Sequence, residues 1–288
     1  MKLSSLARRV LARTSSSVGA VFATPQEAPV FVLGHQKSGT TAIASLISAC
    51  SGLRLTGDFF YQERYEDVAR YLEGATPLDE IVRRHRQAFS RPIIKDPDLT
   101  FFYDGLRDFF PAARFVFVVR DPRQNLRSIL NRLNIAGTDG DLTAHGDLRE
   151  ELPAWWSLLT GRAPRVDSRN HVEALAKRWS LAAEVYLRDP DRMRLVRYED
   201  FVRDKPATIA EVCRGVGLDP RHDISGVMDR QYQPAGQRGV DAQEFFGPDN
   251  LRLIEECCRD QMGAFGYETR SAEAPTGRPH ARPDETPR

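Results

Sequence analysis

The sequence predicts an α/β protein of three layers, α/β/α, around a central, mainly parallel sheet. Three observations predict it. Runs rich in apolar and β-branched residues at 30–33, 114–119 and 193–196 read as buried strands. Polar loops and then helical patterns follow them, the recurrence a parallel sheet requires. With 288 residues, 41% of them hydrophobic and 28% charged, the chain suffices for one large α/β domain.

Taken in order, residues 1–28 form an arm. Arg8, Arg9 and Arg13 lie there among several serines, and no acid precedes residue 25. That composition suits a loose arm, a transit peptide or a weak basic amphipathic helix, and the apolar core of a secretory signal is missing. Residues 30–33, Val-Phe-Val-Leu, make the first strand, and a helix after the 34–41 loop is stopped by Ser51-Gly52. Residues 53–56 read as a second short strand and 63–73 as a charged helix. Residues 77–89 read as one helix whose Arg83, Arg84 and Arg86 face solvent. Residues 91–97 are a short strand ending in a polar turn, and 99–110 are a helix.

The 114–119 strand ends in Arg120-Asp121-Pro122-Arg123, and a helix covers 124–133. Residues 137–168 are the least regular stretch, rich in Gly, Pro and Asp, and read as a substrate loop or lid. Trp155 and Trp156 there either line a pocket or pack under the loop. The helix at 170–187 carries Trp179 on its apolar stripe, a core position. The third clear strand runs into Arg197-Tyr198-Glu199-Asp200, where Glu199 and Asp200 suit a cap or ion pair. A helix at 206–216 is closed by Gly217, a Gly-rich loop at 233–247 holds Gln237-Arg238-Gly239, and 251–265 is the last helix. Residues 271–288, Pro- and Arg-rich without periodicity, are expected to be disordered. The domain is therefore placed at 29–270.

Chemistry concentrates at residues 34–41, Gly-His-Gln-Lys-Ser-Gly-Thr-Thr. A strand feeding a Gly-bearing loop at a helix N-terminus offers converging N–H groups and the positive end of a helix dipole. The spacing is P-loop-NTPase-like, with one change: Thr40 stands where an NTPase has its lysine, and Lys37 lies inside the loop instead. Lys37, Asp58, Asp96 and Arg120 each follow a predicted strand, so they can share the crevice beyond the strand ends. Ser128 lies two helical turns after Arg120. Gly236 and Gly239 flank Arg238 and let backbone approach a ligand. A ligand with one anion at the loop and a second at Arg120, Ser128 and Arg238 would satisfy all three cations.

The bulk numbers narrow the partners. A formal net charge of +1 gives no global basic field for nucleic acid. No run is long enough to span a membrane. The four cysteines, Cys50, Cys213, Cys257 and Cys258, form no zinc spacing and no disulfide framework, which fits a reducing, cytoplasmic setting. Oligomeric state is not written in the sequence.

These residues resemble the sulfotransferases that use 3'-phosphoadenosine 5'-phosphosulfate (PAPS) and release adenosine 3',5'-bisphosphate (PAP). Residues 35–41 look like their 5'-phosphosulfate loop, and Val118-Val119-Arg120-Asp121-Pro122-Arg123 with Ser128 looks like their 3'-phosphate motif. Arg197-Tyr198-Glu199-Asp200 resembles an R-Y-E-D segment, and Gln237-Arg238-Gly239 with the helix ending at Phe265-Gly266-Tyr267 resembles the closing cofactor loop. The resemblance spans roughly residues 29–268. It implies that backbone N–H groups of Ser38, Gly39, Thr40 and Thr41, with both threonine hydroxyls, hold the 5'-phosphate beside Gln36. It implies Lys37 at the oxygen bridging phosphate and sulfate. Arg120, Ser128, Arg238 and Gly239 would then hold the 3'-phosphate, with Tyr198 near the adenine. The late loop lacks a second adjacent basic residue, a departure from the family pattern.

In-line sulfuryl transfer depends on positioning and cations, and sulfate carries less charge than a terminal phosphate, so no metal is expected. Arg120 also follows Val119 where an NTPase would place its metal-holding acid. The acceptor, a small molecule or carbohydrate bearing a hydroxyl or amine, needs a base. Asp58 is favoured over Asp96, with Glu63 and His35 behind them, and either aspartate could instead be a cap. Lys95 would contact transferring oxygens or pair with Asp96 or Asp98. The competing readings are a P-loop kinase with a displaced lysine and a non-catalytic nucleotide-binding scaffold.

Overall fold

A computed structural model describes residues 23–60, 65–230 and 241–269. The first strand, β1 (Val30–Gly34), leads through the polar loop into α1 (Thr40–Ser51). Strand β2 (Leu55–Thr56) precedes α2 (Tyr65–Leu72), α3 (Leu78–Arg84) and α4 (Arg86–Phe89). Strand β3 (Ile93–Lys95) is followed by a 3-10 turn (Pro97–Phe102) and α5 (Tyr103–Phe109). Next come β4 (Arg114–Val119), α6 (Pro122–Leu133), α7 (Leu148–Glu151), α8 (Pro153–Leu159) and α9 (His171–Arg188). The chain closes with β5 (Met193–Arg197), α10 (Tyr198–Arg203), α11 (Lys205–Gly215) and α12 (Ala242–Ala264).

All strand pairs are parallel, in the order β2-β3-β1-β4-β5. The alternation within each strand explains the layers. Phe31 and Leu33 of β1, with Phe115, Phe117 and Val119 of β4, face one core. Val30 and Val32, with Val116 and Val118, face the other, against α1 and α11. Side chains two apart share a sheet face, so a continuous apolar run fills both faces of a central strand.

Chain order reverses between β1 and β4. Connections from β1 lead to β3 and β2 on one side, and β4 and β5 lie on the other. The loops after β1 and β4 therefore border a crevice at this switch point. Gly34 pairs with Val118 at that spot, and a Cβ there would lie 2.3 Å from the Val118 carbonyl oxygen. Its φ of 136° also disfavours any other residue.

Several boundaries differ from the sequence expectation. The helix expected over 77–89 breaks at His85, whose φ of −105° and ψ of 24° leave the helical region. The helix expected over 99–110 begins as a 3-10 turn capped by Asp96, which accepts from the Asp98 N–H. A helical stretch from Ala242 is broken at Gly247, whose φ of 68° and ψ of 170° lie outside the helical region, and the last helix resumes at Pro248, three residues ahead of the expected 251. The irregular 137–168 stretch contains α7 and α8. The arm at 1–22, the tail at 270–288 and residues 231–240 lie outside the described residues.

Candidate active site

The 34–41 loop folds over α6 through a buried amide. Asn125, fully buried, donates its Nδ2 hydrogens to the Gln36 carbonyl and to Ser38 Oγ, both at 2.9 Å. Its Oδ1 accepts from His35 Nδ1 at 2.8 Å. Burial, then the charge of Arg178, lowers the His35 pKa to about 3. The imidazole is therefore neutral, a tautomer set by the amide, and His35 does not reach the cavity wall. From below, Gln36 Nε2 donates to Asp98 Oδ1 at 2.9 Å, and the same oxygen pairs with Arg178 Nη2 at 2.5 Å. Gly34 N–H donates to Thr100 Oγ1 at 2.8 Å.

This framework holds the loop in two left-handed steps, Lys37 at φ 66° and Gly39 at φ 98°. Ser38 N–H donates to the His35 carbonyl, so the loop's outward donors begin at Gly39. No side chain caps α1, and the first-turn N–H groups have no intrahelical acceptor. The result is a cradle of N–H groups at the positive end of a helix.

Gly39 is also where the loop meets Tyr198. A Cβ at Gly39 would lie 2.4 Å from the tyrosine ring. On that ring's face rests Arg120, with its guanidinium carbon 4.4 Å from the centroid, while Nη1 donates to the Lys37 carbonyl at 3.2 Å. Trp179, a core residue as expected, donates its Nε1–H to the Arg120 carbonyl at 3.0 Å. The surrounding motif residues hold one another. Glu199 accepts from Asp121 N–H at 3.0 Å and from Tyr267 O–H at 2.9 Å, and Arg123 bridges Asp121 and Glu255 at 2.6 and 2.9 Å. Glu199 thus holds neighbouring motif residues together, in keeping with the structural reading given to it.

Lys37, Asp58, Asp96 and Arg120 open on one cavity of about 890 Å³, together with Gln36, Gly39, Thr40, Thr41, Ser128 and Tyr198. Trp155 lines it too, whereas Trp156 packs against the core. Burial, then the charges of Arg132, Arg120 and Lys95, lowers the Lys37 pKa to about 8. Lys95 pairs with Asp58 at 2.5 Å, not with Asp96 or Asp98, and donates to Thr41 Oγ1 at 2.8 Å.

The two aspartate candidates differ. Asp58 is exposed, and among the described residues its one ion pair is with Lys95. Asp96 is buried, and its oxygens accept from the N–H groups of Phe59, Phe60 and Asp98 at 2.9, 2.9 and 3.0 Å. Burial, then the Asp98 carboxylate, pushes the Asp96 carboxyl up from the ordinary range. Ser38 does not reach the cavity wall, since its hydroxyl is held by Asn125. Glu63, Arg238 and Gly239 fall outside the described residues. Among the described residues no group of His, Cys, Asp and Glu is arranged to hold a metal ion, and no helix is long and apolar enough to cross a membrane.

Sequence reasoning passed over Asn125, Asp98 and Arg178. A polar residue on an amphipathic helix reads as solvent-facing, and nothing in its own neighbourhood shows that a loop 87 to 90 positions earlier folds onto it.

Fold and cleft together define a P-loop-like α/β protein with a cation-rich cavity beyond its strand ends. The sulfotransferase family model matches residues 60–223, more than half of the chain, and the chain belongs to that family. Membership implies transferase activity and does not favour the kinase reading. No curated protein sequence matches the chain significantly. Among solved structures, sulfotransferase STF9 from Mycobacterium avium is 12% identical at a TM-score of 0.51, covering 90% of this chain and 82% of that one. A sulfotransferase from Alicyclobacillus acidocaldarius is 15% identical at 0.49, covering 84% and 97%. Mouse sulfotransferase SULT7A1, solved with PAP, is 13% identical at 0.47, covering 85% and 88%. At these identities the likeness concerns the fold alone.

Proposed function

We propose that this chain transfers a sulfuryl group from PAPS to an acceptor hydroxyl or amine and releases PAP. One observation carries the reading. The 34–41 cradle, Arg120 at the end of β4 and Ser128 on α6 open on the same cavity, and Arg120 joins them by bonding the loop and stacking on Tyr198. A nucleotide with two separate phosphates matches such a pair of anion sites better than a single polyphosphate chain does.

The residues present fit this donor. Uncapped N–H groups at the start of α1 suit one phosphate, and Arg120 with Ser128 suits the other. The Tyr198 ring closes against Gly39 where no Cβ has room, which leaves a flat wall suited to a base. When bound, PAPS supplies an activated sulfuryl group on a phosphate leaving group. Lys37 places an ammonium where leaving-group charge develops, and at neutral pH it is protonated. Asp58 accepts the acceptor's proton while Lys95 aims its carboxylate. Asp96, tied to three backbone N–H groups, orders the turn beside it. In this reading Arg238 and Gly239 complete the 3'-phosphate site. One unit over 29–270, with 137–168 as its lid, carries the reaction on a small-molecule or carbohydrate acceptor in a reducing, cytoplasmic setting. The cations replace a metal requirement.

Titration calorimetry with PAP, in magnesium and again in chelator, tests the donor site. Equal affinity in both is expected, and tight binding of magnesium–ATP with none of PAP would sink the reading. With radiolabelled PAPS and an acceptor panel, Lys37→Ala is expected to lower transfer by about 10²- to 10³-fold. Normal turnover in that variant would remove Lys37 from the chemistry.

A further inference from the structure

We infer that the acceptor carries an anionic group, such as a carboxylate, phosphate or sulfate ester, and that Arg132 holds it. The inference rests on the sulfuryl-transfer reading above and adds the acceptor's charge class.

The charges lining the cavity are unequal. Among the described residues, seven cationic side chains line it against four carboxylates, in a chain whose net charge is only +1. Every one of those carboxylates is already engaged. Asp58 pairs with Lys95, Asp229 with Lys205 and Asp98 with Arg178, each at 2.5 Å, and Asp96 takes three backbone N–H groups. A cationic acceptor would have to displace Lys95, Lys205 or Arg178 from its carboxylate, or the backbone N–H groups from Asp96. Arg132 is the reverse case: it is exposed on the cavity wall and has no hydrogen bond or ion pair to any described residue.

Its position points to the acceptor. Arg120 stands just ahead of α6, before its N-cap Asp121, and Gln124, Ser128 and Arg132 follow within the helix at steps of four, so those three share one helix face. Arg120 and Ser128 are assigned to the donor's 3'-phosphate. Arg132 stands one turn further along, and its charge weighs on Lys37 more than that of Arg120, which bonds the Lys37 carbonyl. It therefore lies close to the Lys37 ammonium, on the wall of the same cavity. A guanidinium there can take a carboxylate or phosphate oxygen pair through two parallel N–H bonds. Phe60 and Trp155 add aromatic wall to the same cavity, suited to the body of a ring-bearing acceptor.

The test uses the full chain saturated with PAP and two matched pairs of probes: para-hydroxyphenylacetate against its methyl ester, and methyl glucuronide against methyl glucoside. Calorimetry is expected to show the acid of at least one pair binding about tenfold or more tighter than its neutral partner. Arg132→Ala should erase that preference and Arg132→Lys should keep part of it, with PAP affinity unchanged in both. Equal binding, or no binding, of acid and neutral probes in both pairs overturns the inference while leaving sulfuryl transfer standing. So does an Arg132→Ala variant that loses PAP affinity, because Arg132 then belongs to the donor site. A chain that binds no PAP at all takes down the sulfuryl-transfer reading and this inference with it.

Discussion

The 34–41 loop and the Asp58–Lys95 pair open on one cavity, and their polar atoms are held in different ways. The loop is bound inward. Asn125 takes its His35, Gln36 and Ser38 atoms, Asp98 takes Gln36, and Arg178 closes the chain beneath, all out of water. Among the described residues Asp58 is held by Lys95 alone: its side chain is 45% exposed, and that of Lys95 is 3% exposed. Buried hydrogen-bond networks fix geometry, because each broken bond strands a desolvated group. An exposed carboxylate can change partners when a substrate arrives. In the sulfuryl-transfer reading proposed above, the donor side is thus organised before binding, and the acceptor side keeps an exposed carboxylate to move a proton.

The strongest way to break this contrast is Asp58→Asn. Transfer is expected to fall by about 10²- to 10⁴-fold, the range for losing a general base. PAP affinity should hold, and stability should fall by about 1–3 kcal/mol, because the buried Lys95 ammonium loses its counter-charge although asparagine keeps an oxygen for it. Single-turnover transfer and calorimetry read the two effects separately. Full activity would move the base to Asp96 or elsewhere.

Asn125→Ala sharpens the contrast from the other side. It strands His35 Nδ1, the Gln36 carbonyl and the Ser38 hydroxyl in a buried place. A loss of about 1–3 kcal/mol in denaturant unfolding is expected, with weaker PAP binding. Unchanged stability together with unchanged PAP affinity would mean that the loop is not held from within.

The same contrast explains what was legible in the sequence. The loop after β1 announces itself locally. Gly34 and Gly39 sit at positive φ where a Cβ would strike Val118 or Tyr198, so the residue types follow from the turn. Arg120 sits at the end of a run that reads as a strand and needs no further information. The partners of Lys95 were misjudged because sequence neighbours, Asp96 and Asp98, seemed nearest. In an extended strand end the side chains of adjacent residues diverge, and Asp58 arrives from the neighbouring strand β2. Asn125 and Arg178 were missed for a related reason: burial of a polar residue within a helix is decided by what packs on it. The 3-10 start of the helix at 97–102 follows from Asp96 turning back to cap Asp98, a choice of geometry that periodicity does not record.

The smallest effect concerns Lys37 and pH. Burial and three nearby cations lower its pKa from 10.5 to about 8. Between those values the unfolded chain binds more protons at this lysine than the folded one does. The lysine's own destabilising contribution is therefore full below about 8 and is relieved as pH rises toward 10.5. Anion binding has the opposite slope, because PAP favours the ammonium. PAP affinity is expected to fall by about three- to eightfold as the solution passes from one side of the Lys37 pKa to the other over roughly 1.5 pH units. Calorimetry in buffers of different ionisation enthalpy would show the matching proton uptake on binding. Lys37→Arg should flatten the profile, since a guanidinium does not titrate there. A slope that survives in Lys37→Arg assigns the titration to another group and removes the lysine from direct contact with the bound anion.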